Sequence, residues 1–456
     1  MAFLQSPVTA LEQDLPPEAK QLALTILQAA LQAVNPGHAL KRALQLQGGD
    51  ILHLGSARYD LAAYENIYVI GAGKASAAMA EALEGLLGER ISGGCINVKD
   101  GYTAPTRIVQ IHEAGHPVPD ERSVEGTQQI AAIARSAGAR DLVFCLLSGG
   151  GSALMTLPVE GITLEDMGQL TNQLLRSGAT INEINAVRKH LSQIKGGRLS
   201  QHAAPAQVIS LILSDVIGDP LDVIASGPTS PDSTTFEQAL AVLRKHDLLQ
   251  QVPAAIVGHL QHGIEGSIPE TPKAGDEVFE RTHNAVIASN ERAAQAALDT
   301  SRELGMNGLL LSTYVDGEAR EVGRVFGAIA REMATSGRPV PRPGCVVAGG
   351  ETTVTVRGNG LGGRNQELAL AAAPSIDGLH NVAVIGLGTD GTDGPTDAAG
   401  AIVTGQTLSR AAKNQRSLQA ALMDNDAYRF FAALGDLIIT GPTNTNVNDL
   451  VFVFAF

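Results

Sequence analysis

Asn66-Ile-Tyr-Val-Ile-Gly71-Ala-Gly73-Lys74-Ala-Ser76 is the stretch on which the reading of this 456-residue chain turns. A short apolar run rich in β-formers stops at glycines, and an Ala/Leu/Glu-rich helical segment follows. Strand, glycine-rich turn and helix open a βαβ unit. Working outward, Cys95–Lys99 and Thr106–His112 read as further strands. Asp141–Leu147 and Gln207–Leu213 are continuous apolar runs, as expected of strands buried on both faces. Pro16 and Pro17 open an amphipathic helix through about Val34, and Thr163–His190 reads as largely helical. Strands alternating with helices predict an α/β fold with a parallel, doubly wound sheet.

A stretch rich in Gly, Pro and charge, from about Gln261 to Arg281, interrupts the pattern. Beyond it, strands are predicted at His283–Ser289, Gly308–Tyr314, Gly344–Val356, Asn381–Leu387 and Leu450–Phe456. The length exceeds what one hydrophobic core serves well. The expected division is a domain over 1–260 and a smaller α/β domain over 282–456.

Lys and Arg total 33 against 47 Asp and Glu, a formal net charge of −14. That balance disfavours nucleic acid or an anionic membrane as partner. Aromatic residues make up 4% of the chain and Trp is absent, which leaves no platform for stacking single-stranded bases. Cys95, Cys145 and Cys345 lie far apart in apolar runs, as buried thiols would. The amino-terminal stretch carries early acidic residues and no leader-like apolar core, and no run is long enough to span a membrane. A soluble cytoplasmic protein is expected.

Polar and glycine clusters recur just after the apolar runs, where open α/β sheets bind ligands. Gly71, Gly73 and Lys74 form the first, with Lys74 offering charge to a phosphate or carboxylate; as a dinucleotide fingerprint it lacks the third glycine, although Asp100 could serve as the ribose acid. Ser148, Gly149, Gly150, Gly151 and Ser152 form a flexible anion cradle that is neither a P-loop nor a nucleophile elbow. On a helix, Asn185, Arg188, Lys189 and Ser192 share one face, and Lys195 follows before a Gly-Gly turn. Asp215 and Asp219 flank a glycine turn and offer hard oxygen ligands.

Glu351 sits in a Gly-Gly-Glu-Thr-Thr cluster, separated by the strand-like Val354–Val356 from Gly363-Arg364-Asn365 at the start of a helix. Arg364 there could grip a phosphoryl group bidentately. Asp390, Asp393 and Asp397 alternate with glycines after an apolar strand and could hold Mg²⁺ or take a hydroxyl proton. Thr443–Asp449 places amides before the last strand. Each cluster also has a plain reading as a turn, a cap or a solvated charge.

Together, VIGAGKAS, LLSGGGSALM, INEINAVRKHLSQIKGGRLS, LSDVIGDPLDVIASGPTSPD, GGETTVTVRGNGLGGRNQELAL, GTDGTDGPTDAAGA and TNTNVNDL resemble the class II glycerate kinases, glycerate 2-kinases with a carboxy-terminal "multi-organism fragment with rich leucine" domain. The resemblance implies a Rossmann-like first domain, a smaller α/β second domain and an active site in the cleft between them. It implies ATP and D-glycerate as substrates, 2-phosphoglycerate as product and a divalent metal, usually Mg²⁺; a homodimer is compatible with it. It gives weight to Lys74 and Arg364 as functionally important residues; for phosphoryl transfer they would serve as catalytic cations, and Asp390 or Asp393 would position Mg²⁺ or orient the hydroxyl. Ser148–Ser152, Asn185, Arg188, Lys195, Glu351 and Asn365 become substrate or nucleotide contacts, and Asp215 and Asp393 metal ligands. Some relatives carry the label hydroxypyruvate reductase, so an NAD(P)H-dependent reductase is the alternative; a non-catalytic small-ligand binder is a third reading.

Overall fold

A computed structural model describes residues 4–456; the first three, part of the stretch read above as carrying no leader, lie outside it. The chain forms two compact units, one over Pro36–Ile287 and one that joins the residues through Asn35 to Ala288–Phe456.

The Pro36–Ile287 unit begins with an antiparallel meander, β1 (Leu44–Gln47), β2 (Ile51–Leu54) and β3 (Ala57–Asp60). Its main sheet comprises β4 (Asn66–Ala72), β5 (Gly93–Lys99), β6 (Val109–Ala114), β7 (Asp141–Leu147), β8 (Gln207–Leu213) and β9 (Thr282–Ala288), in the order β6-β5-β4-β7-β8-β9. The pairs β4–β5, β4–β7, β5–β6 and β7–β8 are parallel. This is the Rossmann order, whose strand sequence reverses between β4 and β7 and opens a crevice at their carboxyl ends. The loops carrying Lys74 and Ser148–Ser152 leave those two ends, and the Lys74 N–H donates to the Gly149 carbonyl at 2.9 Å. The segment expected to be one long helix is two, Leu164–Arg176 and Ile181–His190, each opened by a threonine capping box and separated at Gly178.

The second sheet runs β10 (Asn307–Val315), β11 (Gly344–Gly350), β12 (Val382–Gly388), β13 (Gly400–Thr404), β14 (Leu437–Ile438) and β15 (Asp449–Ala455), in the order β10-β11-β15-β12-β13-β14. Only β10–β11 is parallel among its pairs; β15 lies antiparallel between β11 and β12. Every residue of β15 is buried, and Phe452 and Phe454 stack. Because β15 runs against its neighbours, its first residue, Asp449, pairs with Gly350 and Gly388 at the far ends of β11 and β12. The run Gly344–Val356 is not one strand. β11 stops at Gly350, whose φ of +154° and close approach to the Val315 carbonyl suit glycine, and Val354–Val356 continues as loop.

The first residues pack with this second unit, unlike the 1–260 grouping read from the sequence. The helix Pro17–Ala33 lies along Asn290–Glu303, and Thr445 Oγ1 donates to the Val34 carbonyl at 2.8 Å. Arg410 reaches Asp14 Oδ2 at 2.9 Å and Asp436 Oδ2 at 2.6 Å, and both acids are buried. Contacts between residues about 400 positions apart in the chain leave no trace in local periodicity. Among the described residues, no helix is long and apolar enough to cross a membrane, and the three cysteines are free and buried.

Arg410→Met leaves Asp14 and Asp436 buried without their cation. Urea unfolding should show a loss of about 3 kcal/mol, with faster proteolysis of the amino-terminal helices; an unchanged midpoint would show that the pairing adds nothing.

Candidate functional site

In the unit that holds β15, a cavity of about 620 Å³ opens where the ends of β11, β12 and β15 meet. Arg364, Asn365, Asp390, Asp393 and Asp449 line it; Glu351 lies alongside, bound to Arg364. The helix Arg364–Ile376 has no cap of its own at Gly363. Asp393 supplies one from another loop: its Oδ1 accepts from Asn365 N–H at 3.1 Å and its Oδ2 from Gln366 N–H at 2.8 Å. A Cβ on Gly363 would lie 2.3 Å from Asp393 Cγ, so this approach requires glycine. Asn365 then bridges two acids, donating from Nδ2 to Asp393 at 3.2 Å and to Asp449 at 2.9 Å.

Arg364 is held from two sides. Its Nε meets Asp449 Oδ2 at 2.5 Å, and its Nη1 donates to the half-exposed Glu351 at 2.7 Å. Burial alone would lower the guanidinium; Asp449 and Glu351 outweigh it and raise it. Burial pushes the Asp449 carboxyl up to about 7 against the pull of Arg364, and pushes Asp393 up to about 6 against the N–H groups it caps. Asp390 forms a local turn: its Oδ1 accepts from Thr392 N–H at 3.0 Å and from the Thr392 hydroxyl at 3.2 Å.

A second cavity, about 1030 Å³, lies within the Pro36–Ile287 unit. His116, Gly150, Ser152, Arg188 and Lys195 line one end of it. Lys195 is 1% exposed, yet its Nζ donates only to the Ser152 and Met155 carbonyls, at 2.7 and 3.0 Å. Arg188 donates to the Ser152 carbonyl at 3.3 Å. Burial, then the charge of Arg188, hold Lys195 well below the usual ammonium range. Its sequence neighbour Lys189 takes the other path, buried against Asp222 and Asp232 at 3.3 Å each. Asn185 Oδ1 accepts from the Ser226 hydroxyl at 3.3 Å, and Ser226 also bonds Ser152 Oγ at 2.9 Å.

Lys74 stands half-exposed at the end of β4. His116, which the sequence reading passed over, is held down at about 4 by burial and then by the charges of Lys74 and Lys99. A Cβ on Gly150 would lie 2.9 Å from its Nε2. The glycines before Lys74 serve packing: a Cβ on Gly71 would sit 2.0 Å from the Leu146 carbonyl, and one on Gly73 2.1 Å from Ser148 Oγ. Asp100, the candidate ribose acid, is paired with Arg122 at 2.6 and 3.0 Å. Asp215 packs against Gly149, whose Cβ would lie 2.4 Å from its Oδ2. Asp215 and Asp393 therefore belong to separate units, and among the described residues no group of three or more His, Cys, Asp or Glu is gathered as a metal cage.

Residues 22–261 match a family described as a domain of unknown function (DUF4147), and residues 344–449 match the MOFRL family. The chain is 42% identical over 439 residues to a protein of Thermotoga maritima named D-glycerate 2-kinase, covering 96% of this chain and 98% of that one. It is 40% identical over 433 residues to a glycerate 2-kinase of Pyrococcus horikoshii, covering 95% and 96%. A crystal structure of a glycerate kinase from Thermotoga maritima superposes with a TM-score of 0.87 at 40% identity, over 97% of this chain and 100% of that chain. The chain belongs to the class II glycerate kinases.

A raised carboxyl binds its proton more tightly folded than unfolded, so the stability it contributes is full below its unfolded value and lost as pH rises through the folded one. Relative to Asp449→Asn, the wild type should therefore lose stability between about pH 4 and about pH 7.5 in urea titrations. A pH-independent difference would mean that Asp449 titrates as an ordinary carboxylate.

Proposed function

We propose that this chain transfers the γ-phosphoryl group of ATP to the 2-hydroxyl of D-glycerate, releasing 2-phosphoglycerate and ADP. The observation that carries the reading is likeness over nearly the whole chain to proteins named glycerate 2-kinases. The Lys74 and Arg364 loops are both present and built into the ends of their sheets. The features that could favour a nicotinamide cofactor have packing roles instead, since Gly71 and Gly73 admit neighbouring backbone and Asp100 is tied to Arg122.

Phosphoryl transfer needs positioning and charge more than a special nucleophile. The 2-hydroxyl oxygen forms a bond to the γ-phosphorus as the bond to the bridging oxygen breaks, and ADP leaves with that oxygen. Asp390, partly exposed in the cavity, orients the hydroxyl and takes its proton. Lys74 and Arg364, each within its own unit, offer positive charge suited to a phosphoryl group or a carboxylate. Asp449 holds the Arg364 guanidinium in place through Nε, a positioning role.

Mg²⁺ typically takes one or two carboxylates and completes its shell with water and phosphate. Asp393 has both oxygens occupied by N–H groups. Asp390 holds its turn through Oδ1 alone and fits a single-carboxylate attachment, where the ion would offset phosphate charge. The enzyme is proposed to act in the cytoplasm on small molecules, with a homodimer as its assembly.

With D-glycerate, ATP and Mg²⁺, mass spectrometry should detect phosphoglycerate with no NAD(P)H present; NAD(P)H consumption on hydroxypyruvate without phosphoglycerate would contradict the proposal. Lys74→Ala and Arg364→Ala should each lower turnover by about 100-fold or more while the fold survives. Near-normal turnover in both would remove them from the mechanism.

A further inference from the structure

The cavity of about 1030 Å³ in the Pro36–Ile287 unit has two chemically different ends. At one end stand Arg188 and Lys195. Lys195 has two of its three donors committed to carbonyls, and Arg188 makes one bond from its five donors. Among the described residues, neither has a carboxylate within ion-pair distance. Burial and the Arg188 charge disfavour the charged form of Lys195, and an anion bound beside the two would relieve that cost.

Most of the remaining lining comes from the helix Leu164–Arg176. Leu164, Met167, Gly168, Thr171 and Leu175 form an apolar strip at helical spacings of three and four, flanked by polar residues of the same helix that include Glu165 and Arg176. Leu175 is 61% exposed, an apolar side chain turned to open space. Gly168 lies inside this helix, where glycine is a weaker helix former than alanine. No atom outside the helix's own backbone lies within 4 Å of where its Cβ would be, so nothing in the protein demands glycine there. Its effect is to keep a flat, open floor between Leu164, Met167 and Thr171.

We propose that this cavity is the nucleotide site: the adenine ring lies on the Gly168 floor against Leu164, Met167 and Leu175, and the phosphates reach Arg188 and Lys195. This rests on the kinase reading above. A nucleoside triphosphate has the matching halves, a flat apolar ring and a polyanionic tail, and the volume lies at the upper end of small-molecule sites. Glutamates 121 and 165 also line the cavity, both exposed. In the other cavity Arg364 is already paired with Glu351 and Asp449, which leaves it fewer free donors for a polyphosphate chain than Arg188 and Lys195 offer together.

Gly168→Leu tests the assignment, because it strengthens the helix while filling the floor. Gly258, inside the helix Ala254–Ile264 and also without neighbours, gives a matched control away from both cavities. ADP binding to the full chain would be measured by calorimetry and both KM values by initial rates. Gly168→Leu should melt no lower than wild type, bind ADP about tenfold more weakly or worse, raise the ATP KM in step, and leave the glycerate KM within about twofold. Gly258→Leu should bind ADP as the wild type does. Undiminished ADP binding by Gly168→Leu, or a rise in the glycerate KM in place of the ATP KM, overturns the assignment. Because ADP binding is read without turnover, a wild type that binds ADP but forms no phosphoglycerate refutes the kinase reading and leaves the nucleotide site standing.

Discussion

The carboxylate of Asp393, buried against the first turn of the helix Arg364–Ile376, is the contact on which the acidic cavity depends. It supplies the cap that Gly363 cannot, and a cap of this kind is worth about 1 kcal/mol in a helix. Its larger consequence is geometric. By fixing where the helix starts, it fixes Asn365 between Asp393 and Asp449 and sends Arg364 toward Asp449 and Glu351. Two acids that burial pushes toward neutrality are tolerated because each faces donors. The antiparallel placement of β15 is the other half of the arrangement, since it sets the first residue of one strand beside the last residues of its neighbours.

The Pro36–Ile287 unit reaches a charged site by a different route. Its strands are parallel, so the loops after β4 and β7 emerge side by side, and Gly71 and Gly73 let them approach more closely than any side chain would permit. The sheet supplies the placement and the helix Ile181–His190 supplies charge. Within that helix two successive cations diverge: Lys189 turns into a buried pair with Asp222 and Asp232, and Arg188 turns to the cavity.

This divergence shows what the sequence could and could not reveal. The strand, glycine turn and helix at Asn66–Ser76 were legible because their signal is local: a β-forming run, a breaker, a helix former. So was the Gly363-Arg364-Asn365 helix start. Which glycines face a ligand and which face backbone is a tertiary matter, and Gly71 and Gly73 proved to face backbone. Helical spacing grouped Arg188 with Lys189 but could not say which one a distant acid would claim. The meander Leu44–Asp60 escaped notice because its four-residue strands alternate weakly with polar residues. Asp449 stood in view before the last strand, yet its part in holding Arg364 depends on β11 and β12, which meet it only in the fold. His116 had no signal beyond its neighbouring proline; the charges that hold it down come from Lys74 and Lys99.

The central claim is that phosphorus moves from ATP to one particular oxygen of glycerate, and phosphorus NMR of a reaction mixture reads that oxygen directly. With D-glycerate, ATP and Mg²⁺ and no nicotinamide present, the account predicts one new phosphomonoester coupled to the single proton at C2, growing in step with ADP. A phosphomonoester coupled to the C3 methylene protons, or ATP left intact while the protein remains folded, would contradict it.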